Sequence, residues 1–154
     1  MMIDCSQVVS IGSLTHMVST LSKKQYQEEF TKLGVSLKPE QTYVLSIVVQ
    51  GGGSAPQSDF NQMTPIIGDK SQISRMIQDM VAKGILNREA DVNDRRFTVL
   101  NLTEKGWQEA KLVQQALENR LAVWRANFSE EELETLSRLL NKGLTMLKSE
   151  LSEK

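Results

Sequence analysis

At Gly84 the hydrophobic period of this chain changes, and that change restricts its fold more than any other feature. Before it, Ile73, Ile77, Met80 and Val81 recur at the spacing of an inward helix face, with Ser71, Ser74, Arg75 and Gln78 on the opposite face. After it, Ile85–Glu89 and Arg96–Leu102 alternate as strands do, and the polar stretch Ala90–Arg95, with Asp91, Asn93 and Asp94, reads as the turn between them. The helix has its own start signal. Asp69 stands at the cap position with Gln72 three residues on, the pattern of a capping box.

A helix, a glycine stop and a hairpin with a charged tip follow one another in the order of a winged helix-turn-helix. Upstream of it, Phe60, Met63 and Ile67 hold helical spacing, with Pro65 read as a local breaker. The run Gly51-Gly52-Gly53-Ser54-Ala55-Pro56 reads as a loop. Tyr43–Val49 fits either a buried helix or a strand, and Pro39 followed by Glu40 favours a helix entry.

Long amphipathic stretches flank this middle unit. Val8, Ile11, Leu14, Val18 and Leu21, continued by Tyr26, Phe30 and Leu33, predict one long helix ended by Gly34. Thr103 opens another that runs to about Asn127, through Trp107, Ala110, Val113, Leu117, Leu121 and Trp124. Ser129-Glu130-Glu131-Glu132 is a capping box for a last helix striped by Leu133, Leu136, Leu140, Leu144, Leu147 and Leu151. These stripes exceed what one small wing unit can cover, so a second copy of the chain is the expected cover. The expected fold is mainly α, of α+β type. A winged helix-turn-helix over 37–103 is embedded in a helical dimerisation body formed by 1–36 and 104–154.

Composition removes other classes. An apolar fraction of 40% supports a real core, and 5% aromatics suits packed helices. Cys5 is the lone cysteine and His16 the lone histidine, which leaves no internal disulfide and no site built on two imidazoles of one chain. No Ser-His-Asp grouping presents itself, and Gly68-Asp69-Lys70-Ser71 lacks the partner glycine of a phosphate loop, so no enzyme and no cofactor is expected. His16 reads as an ordinary polar residue. Trp107 and Trp124 read as core or dimer packing rather than a ligand box. Met1–Ser6 holds an acid and no signal-like apolar run, and Tyr43–Val49 falls far short of the about 20 residues that span a bilayer. The expectation is a cytoplasmic protein without a membrane partner.

Net charge is −1, from 18 basic and 19 acidic residues. Its distribution is more informative than its total. Residues 70–96 carry Lys70, Arg75, Lys83, Arg88, Arg95 and Arg96 against Asp79, Glu89, Asp91 and Asp94, a local net of +2. The one positive window thus coincides with the helix and hairpin that would neutralise phosphates.

Four segments in order carry a family resemblance: Asp69-Lys70-Ser71-Gln72-Ile73-Ser74-Arg75, Lys83-Gly84-Ile85-Leu86, Asp94-Arg95-Arg96 and Leu102-Thr103-Glu104-Lys105-Gly106. Together they resemble the reading helix, helix stop, wing tip and return strand of the MarR family of bacterial transcription regulators. The Ser-Glu-Glu-Glu-Leu opening of the last helix is similar as well. The chain departs from the family pattern between Ser58 and Lys70, which is slightly long, at Pro65, and at Asn61, where a small apolar residue is usual.

The resemblance implies a homodimer that reads a pseudo-palindromic, inverted-repeat operator in double-stranded DNA. It also implies a repressor relieved by a small-molecule effector seated between dimer body and wing unit. The residues expected to meet DNA are Lys70, Ser71, Gln72, Ser74, Arg75 and Gln78 on the reading helix, Arg88 on the first wing strand, and Asp94, Arg95 and Arg96 at the tip. Ser, Gln and Arg on a helix can address base edges or phosphates in the major groove. An Arg-tipped hairpin can reach a narrow minor groove, with Asp94 holding one Arg by a charge-assisted bond; Arg95 and Arg96 are both candidates. Two alternatives stand beside this reading. One is a helical scaffold dimer without DNA binding. The other is an oxidant sensor of the same fold using Cys5, with Tyr26 or Tyr43 near the sulfur. Gln7, Val8 and Val9 offer Cys5 no cation to lower its pKa, so it is expected to be incidental.

Overall fold

The structure, a computed structural model, describes residues 6–152, with side chains from residue 11 onward. In chain order it comprises α1 (Ser6–Leu33), α2 (Gln41–Gln50), β1 (Ser54–Pro56), a 3-10 segment (Gln57–Met63), α3 (Thr64–Ile67), α4 (Lys70–Ala82), β2 (Leu86–Ala90), β3 (Thr98–Leu102), α5 (Glu104–Asn127) and α6 (Glu130–Ser152). The strands form an antiparallel sheet in the order β1-β3-β2. This is the mainly α arrangement with a wing that the change of period at Gly84 predicts.

Local signals place most of the boundaries. The Asp69 carboxylate accepts from the Gln72 amide at 2.9 Å, and the Gln72 side chain accepts from the Asp69 amide at 3.0 Å, a complete capping box for α4. Gly84 closes α4 in a left-handed conformation (φ 73°), and the Ile85 amide turns back onto the Met80 carbonyl at 3.0 Å. The Thr103 hydroxyl accepts from the Gly106 amide at 2.9 Å to open α5. Ser129 and Glu132 exchange bonds of 3.1 and 2.8 Å at the start of α6.

One open reading is settled and three sequence expectations change. The segment Tyr43–Val49, open between helix and strand, is helical, because Val44, Leu45 and Val48 bury along one face of α2. Ser54–Pro56, expected to be loop, is a short edge strand, with Ser54, Ala55 and Pro56 opposite Asn101, Leu100 and Val99. An edge position accommodates Pro56, which lacks an amide to donate. Pro65 does not break a helix. It sits in the first turn of α3, where its fixed φ suits helix entry, and the preceding residues wind as 3-10. Finally, β3 begins at Thr98 rather than Arg96, which leaves Arg96 and Phe97 in the wing tip.

The core is centred on α2, α4 and the sheet. Val44, Val48, Phe60, Ile77, Met80, Ile85, Leu86 and Leu100 are all but inaccessible, joined by Phe30 from α1 and by Val113 and Ala116 from α5. The flanking helices divide along their length. Tyr26, Phe30 and Leu33 of α1 pack inward, whereas Ile11, Leu14, Met17, Val18 and Leu21 remain exposed. In α6 no residue is buried. Leu136, Leu140, Leu144, Leu147 and Leu151 all lie open.

Close approach of α5 to the sheet depends on Gly106. A Cβ there would lie 2.2 Å from the Ile85 carbonyl oxygen and 2.9 Å from Leu102 Cγ. Backbone cannot yield as a flexible side chain does, so Gly106→Ala is expected to destabilise the fold by about 1–3 kcal/mol despite the better helix propensity of alanine. Urea denaturation at fixed protein concentration checks this; a gain in stability would show that α5 docks less tightly than described.

Candidate nucleic-acid interface

The capping box fixes the N-terminus of α4, and with it the direction of the exposed helix face. Lys70, Ser71, Gln72, Ser74, Arg75 and Gln78 are all solvent-exposed, while Ile73, Ile77 and Met80 on the other side are buried. Three of the exposed residues are engaged locally. Gln72 completes the cap, and the Ser71 hydroxyl donates to the Asp69 carboxylate at 2.7 Å. Arg75 Nη2 donates to the Ser71 hydroxyl at 3.3 Å, which leans the guanidinium toward the helix N-terminus. The Ser71 hydrogen bond, aided by the Gln72 amide, holds the Asp69 carboxyl below the ordinary range.

The wing tip is shaped by two aspartates. Asp91 Oδ1 accepts from the amides of Asn93 (2.7 Å) and Asp94 (3.1 Å), and the Asp91 amide donates to the Phe97 carbonyl at 2.9 Å, closing the hairpin. Asp94 then grips Arg96. Arg96 Nε donates to both carboxylate oxygens at 3.0 and 3.2 Å, Nη2 donates to Oδ2 at 2.7 Å, and the Arg96 amide adds a bond of 3.1 Å. The Arg96 side chain holds the Asp94 carboxyl below its ordinary pKa, and the carboxylate in turn raises that of the guanidinium. Arg95, the neighbouring candidate, is exposed and has no ion pair among the described residues.

An open groove of about 770 Å³ runs between α4 and the wing. It brings together Lys70 and Ser74 from α4 with Arg96 from the tip, so cations stand on both sides. Gln72 and Arg75 face a second, smaller hollow beside Lys38 and Glu40 at the start of α2. Arg88 lines neither hollow. It pairs in register with Leu100 and is exposed on β2 beyond the core. Sequence reasoning missed Gln57, Ser58, Asn61 and Asn93, which also line the larger groove. The available signal was Asn61 itself, a polar residue where an apolar one is usual. Phe60 and Met63 supply the buried face of that segment, which frees Asn61 for the groove.

No group of His, Cys, Asp and Glu able to hold a metal ion occurs among the described residues, and no helix among them is long and apolar enough to cross a membrane. Cys5 lies outside the described residues.

Comparison with known proteins gives a consistent result. No family model and no curated protein matches the chain by sequence. Solved structures match over most of its length. A mutant of MarR from E. coli complexed with operator DNA superposes with a TM-score of 0.76 at 23% identity, over 93% of this chain and 99% of that one. The reduced form of MarR from E. coli gives 0.67 at 26% identity, over 87% and 96%. The PcaV transcriptional regulator from Streptomyces coelicolor, in complex with its natural ligand, gives 0.76 at 18% identity, over 94% and 97%. The chain has the MarR winged-helix fold, and these neighbours bear out the resemblance drawn from residues 69–106.

The Asp94–Arg96 grip carries a pH signature. A carboxyl with lowered folded pKa keeps its pairing above the unfolded pKa and loses it as pH falls through the folded value. An NMR titration is expected to place the Asp94 midpoint below the ordinary carboxylate range and to move it upward in Arg96→Ala. An unchanged midpoint in that variant would mean the grip is absent in solution.

Proposed function

We infer that this protein is a homodimeric, ligand-responsive transcription regulator of the MarR type that binds an inverted-repeat operator in double-stranded DNA and acts as a repressor in the cytoplasm. One observation carries this most directly: an exposed polar helix face and an arginine-tipped wing border a single groove with cations on both sides. In this reading the N-terminal half of α4 enters the major groove, where Lys70, Ser74, Arg75 and Gln78 meet base edges and phosphates. Arg96 enters the flanking minor groove. Asp94 already fixes its fork, so little side-chain freedom is lost on binding. Arg95, Arg88 and the polar groups of Gln57 and Asn61 contribute to backbone positioning. Ser71 and Gln72 act chiefly by building the cap that aims α4.

The second copy follows from the uncovered apolar surface. Leu14 and Val18 of α1, Leu121 and Trp124 of α5 and Leu136 and Leu140 of α6 line one open cleft of about 930 Å³. Trp124 and Phe128 stack within it at a centroid distance of 5.4 Å. A partner's helices filling these clefts would complete the body and set two α4 helices at a fixed separation. The MarR neighbour complexed with operator DNA and PcaV complexed with its natural ligand support both halves of the reading. An effector at the junction of body and wing unit would act by favouring a dimer whose reading helices no longer match the operator spacing. A scaffold dimer without DNA binding has no use for an arginine held at the wing tip, and an enzyme would need a catalytic grouping in place of this groove.

Selection of bound sequences from random duplex DNA tests the proposal, with recovery of an inverted repeat as the expected result. On the selected duplex, Arg75→Ala should cost about 1–3 kcal/mol and relax preference at one position of each half-site if it contacts a base. Arg96→Ala should instead blunt preference for flanking A·T pairs, and Arg95→Ala should weaken binding more uniformly. No enrichment at low salt, or three variants that bind as tightly as the parent, would count against the proposal.

A further inference from the structure

Between α1 and α2 the chain makes a crossing whose polar groups are taken by side chains from distant elements. Leu37 is sealed in the core. Beside it, one oxygen of Glu109, on α5, accepts from the Ser36 amide, the Ser36 hydroxyl at 2.5 Å and the Leu37 amide at 3.2 Å. Lys83, the C-cap residue of α4, donates its ammonium to the Ser36 carbonyl at 3.1 Å. Asp79 holds the same ammonium at 2.8 Å and accepts from Gln41 Nε2 at 2.6 Å, and Gln41 Oε1 accepts from the Lys38 amide at 2.9 Å. Ser36 is therefore tied to α5 through its amide and hydroxyl and to α4 through its carbonyl.

The placement of Glu109 needs a reason. It is only 6% exposed, has no ion pair among the described residues, and stands on the inward face of α5 between the buried Gly106 and Val113. An apolar side chain would fill that site without desolvating a carboxylate. What the carboxylate supplies instead is a triple acceptor for a backbone crossing. On the α4 side, Lys83 and Gln41 hold the Asp79 carboxyl below the ordinary range, which keeps it paired with the ammonium that reaches Ser36.

We propose that Ser36 is the joint between the dimer body and the reading helix, and that Glu109 and Lys83 are positioning residues which, by clamping it, set the half-site spacing the protein accepts. This rests on the dimeric DNA-binding reading above. Neither residue is placed against DNA; both act through the angle between α4 and α5. Adding one base pair between half-sites moves them apart by about 3.4 Å and rotates them by about 35°, so a stiff joint discriminates spacings and a loose one does not.

The test compares the selected inverted repeat with duplexes whose spacer is one base pair longer or shorter, using the parent, Lys83→Met, Lys83→Arg and Glu109→Met. The parent should favour its own spacing by about tenfold, and Lys83→Met and Glu109→Met, which remove the donor and the acceptor, should flatten that preference to within about threefold. Base preferences inside each half-site should stay as they are, and Lys83→Arg, which keeps a donor, should restore the parent's profile. Lys83 is near the surface, so Lys83→Met decides the matter even if Glu109→Met fails to fold by circular dichroism. A spacing profile as steep as the parent's in folded Lys83→Met, or an equal loss of affinity at every spacing, overturns the joint while leaving the proposed function intact. A parent that selects no inverted repeat overturns both.

Discussion

The rest of this structure depends on α6 having nowhere to bury its leucines within its own chain. An isolated helix is marginal in water, and α6 gains little from its single-chain surroundings, where none of its residues is buried. Each leucine brought fully out of water contributes about 1.5–3 kcal/mol, so the row from Leu136 to Leu151 supplies a large driving force once covered. The exposed half of α1 adds Ile11, Leu14 and Leu21 to the same demand. Under the proposed function, the body is a shared core assembled from two chains, and the wing unit hangs from it.

α5 is the shaft between the two parts. Its first turns belong to the wing unit: Gly106 lies against the Ile85 carbonyl, and Lys105 donates to the Lys83 carbonyl at 2.7 Å. Its later turns, with Leu117, Leu121 and Trp124, face the uncovered region. Between them, Asn119 reaches Glu29 of α1 at 2.7 Å, and Glu109 holds the crossing at Ser36 and Leu37. If Ser36 is the joint proposed above, a change in how the body closes would reach α4 through these few contacts. Elsewhere the wing unit is stiffened by bonds made before any partner arrives, at the Asp69 cap and in the Asp94–Arg96 fork. Such preorganisation limits the side-chain entropy lost on binding.

What the sequence revealed, and what it did not, divides by distance along the chain. The Asp69 box, the Gly84 stop, the Thr103 cap and the Ser129 box are all decided within four or five residues, and each stands where local chemistry puts it. So does the pairing of Asp94 with an arginine two residues on, although only the structure assigns it to Arg96 rather than Arg95. Ser54–Pro56 read as loop because its strand character comes wholly from Val99–Asn101, far along the chain. Pro65 read as a breaker because helix entry and helix interruption look alike until the preceding 3-10 segment is known. Glu109 was one more polar residue on an amphipathic helix. Its partners lie 72 and 73 residues away, beyond any periodic signal.

The central claim is that two chains, held by their helical bodies, present two α4 helices to one stretch of DNA. The most direct measurement is the mass, by light scattering, of the free protein and of its complexes with a selected inverted repeat and with a single half-site. The account predicts a dimer alone, two chains on each inverted-repeat duplex, and a lone half-site bound more weakly than the repeat. A monomer in solution that places one chain on either duplex with equal affinity would contradict it.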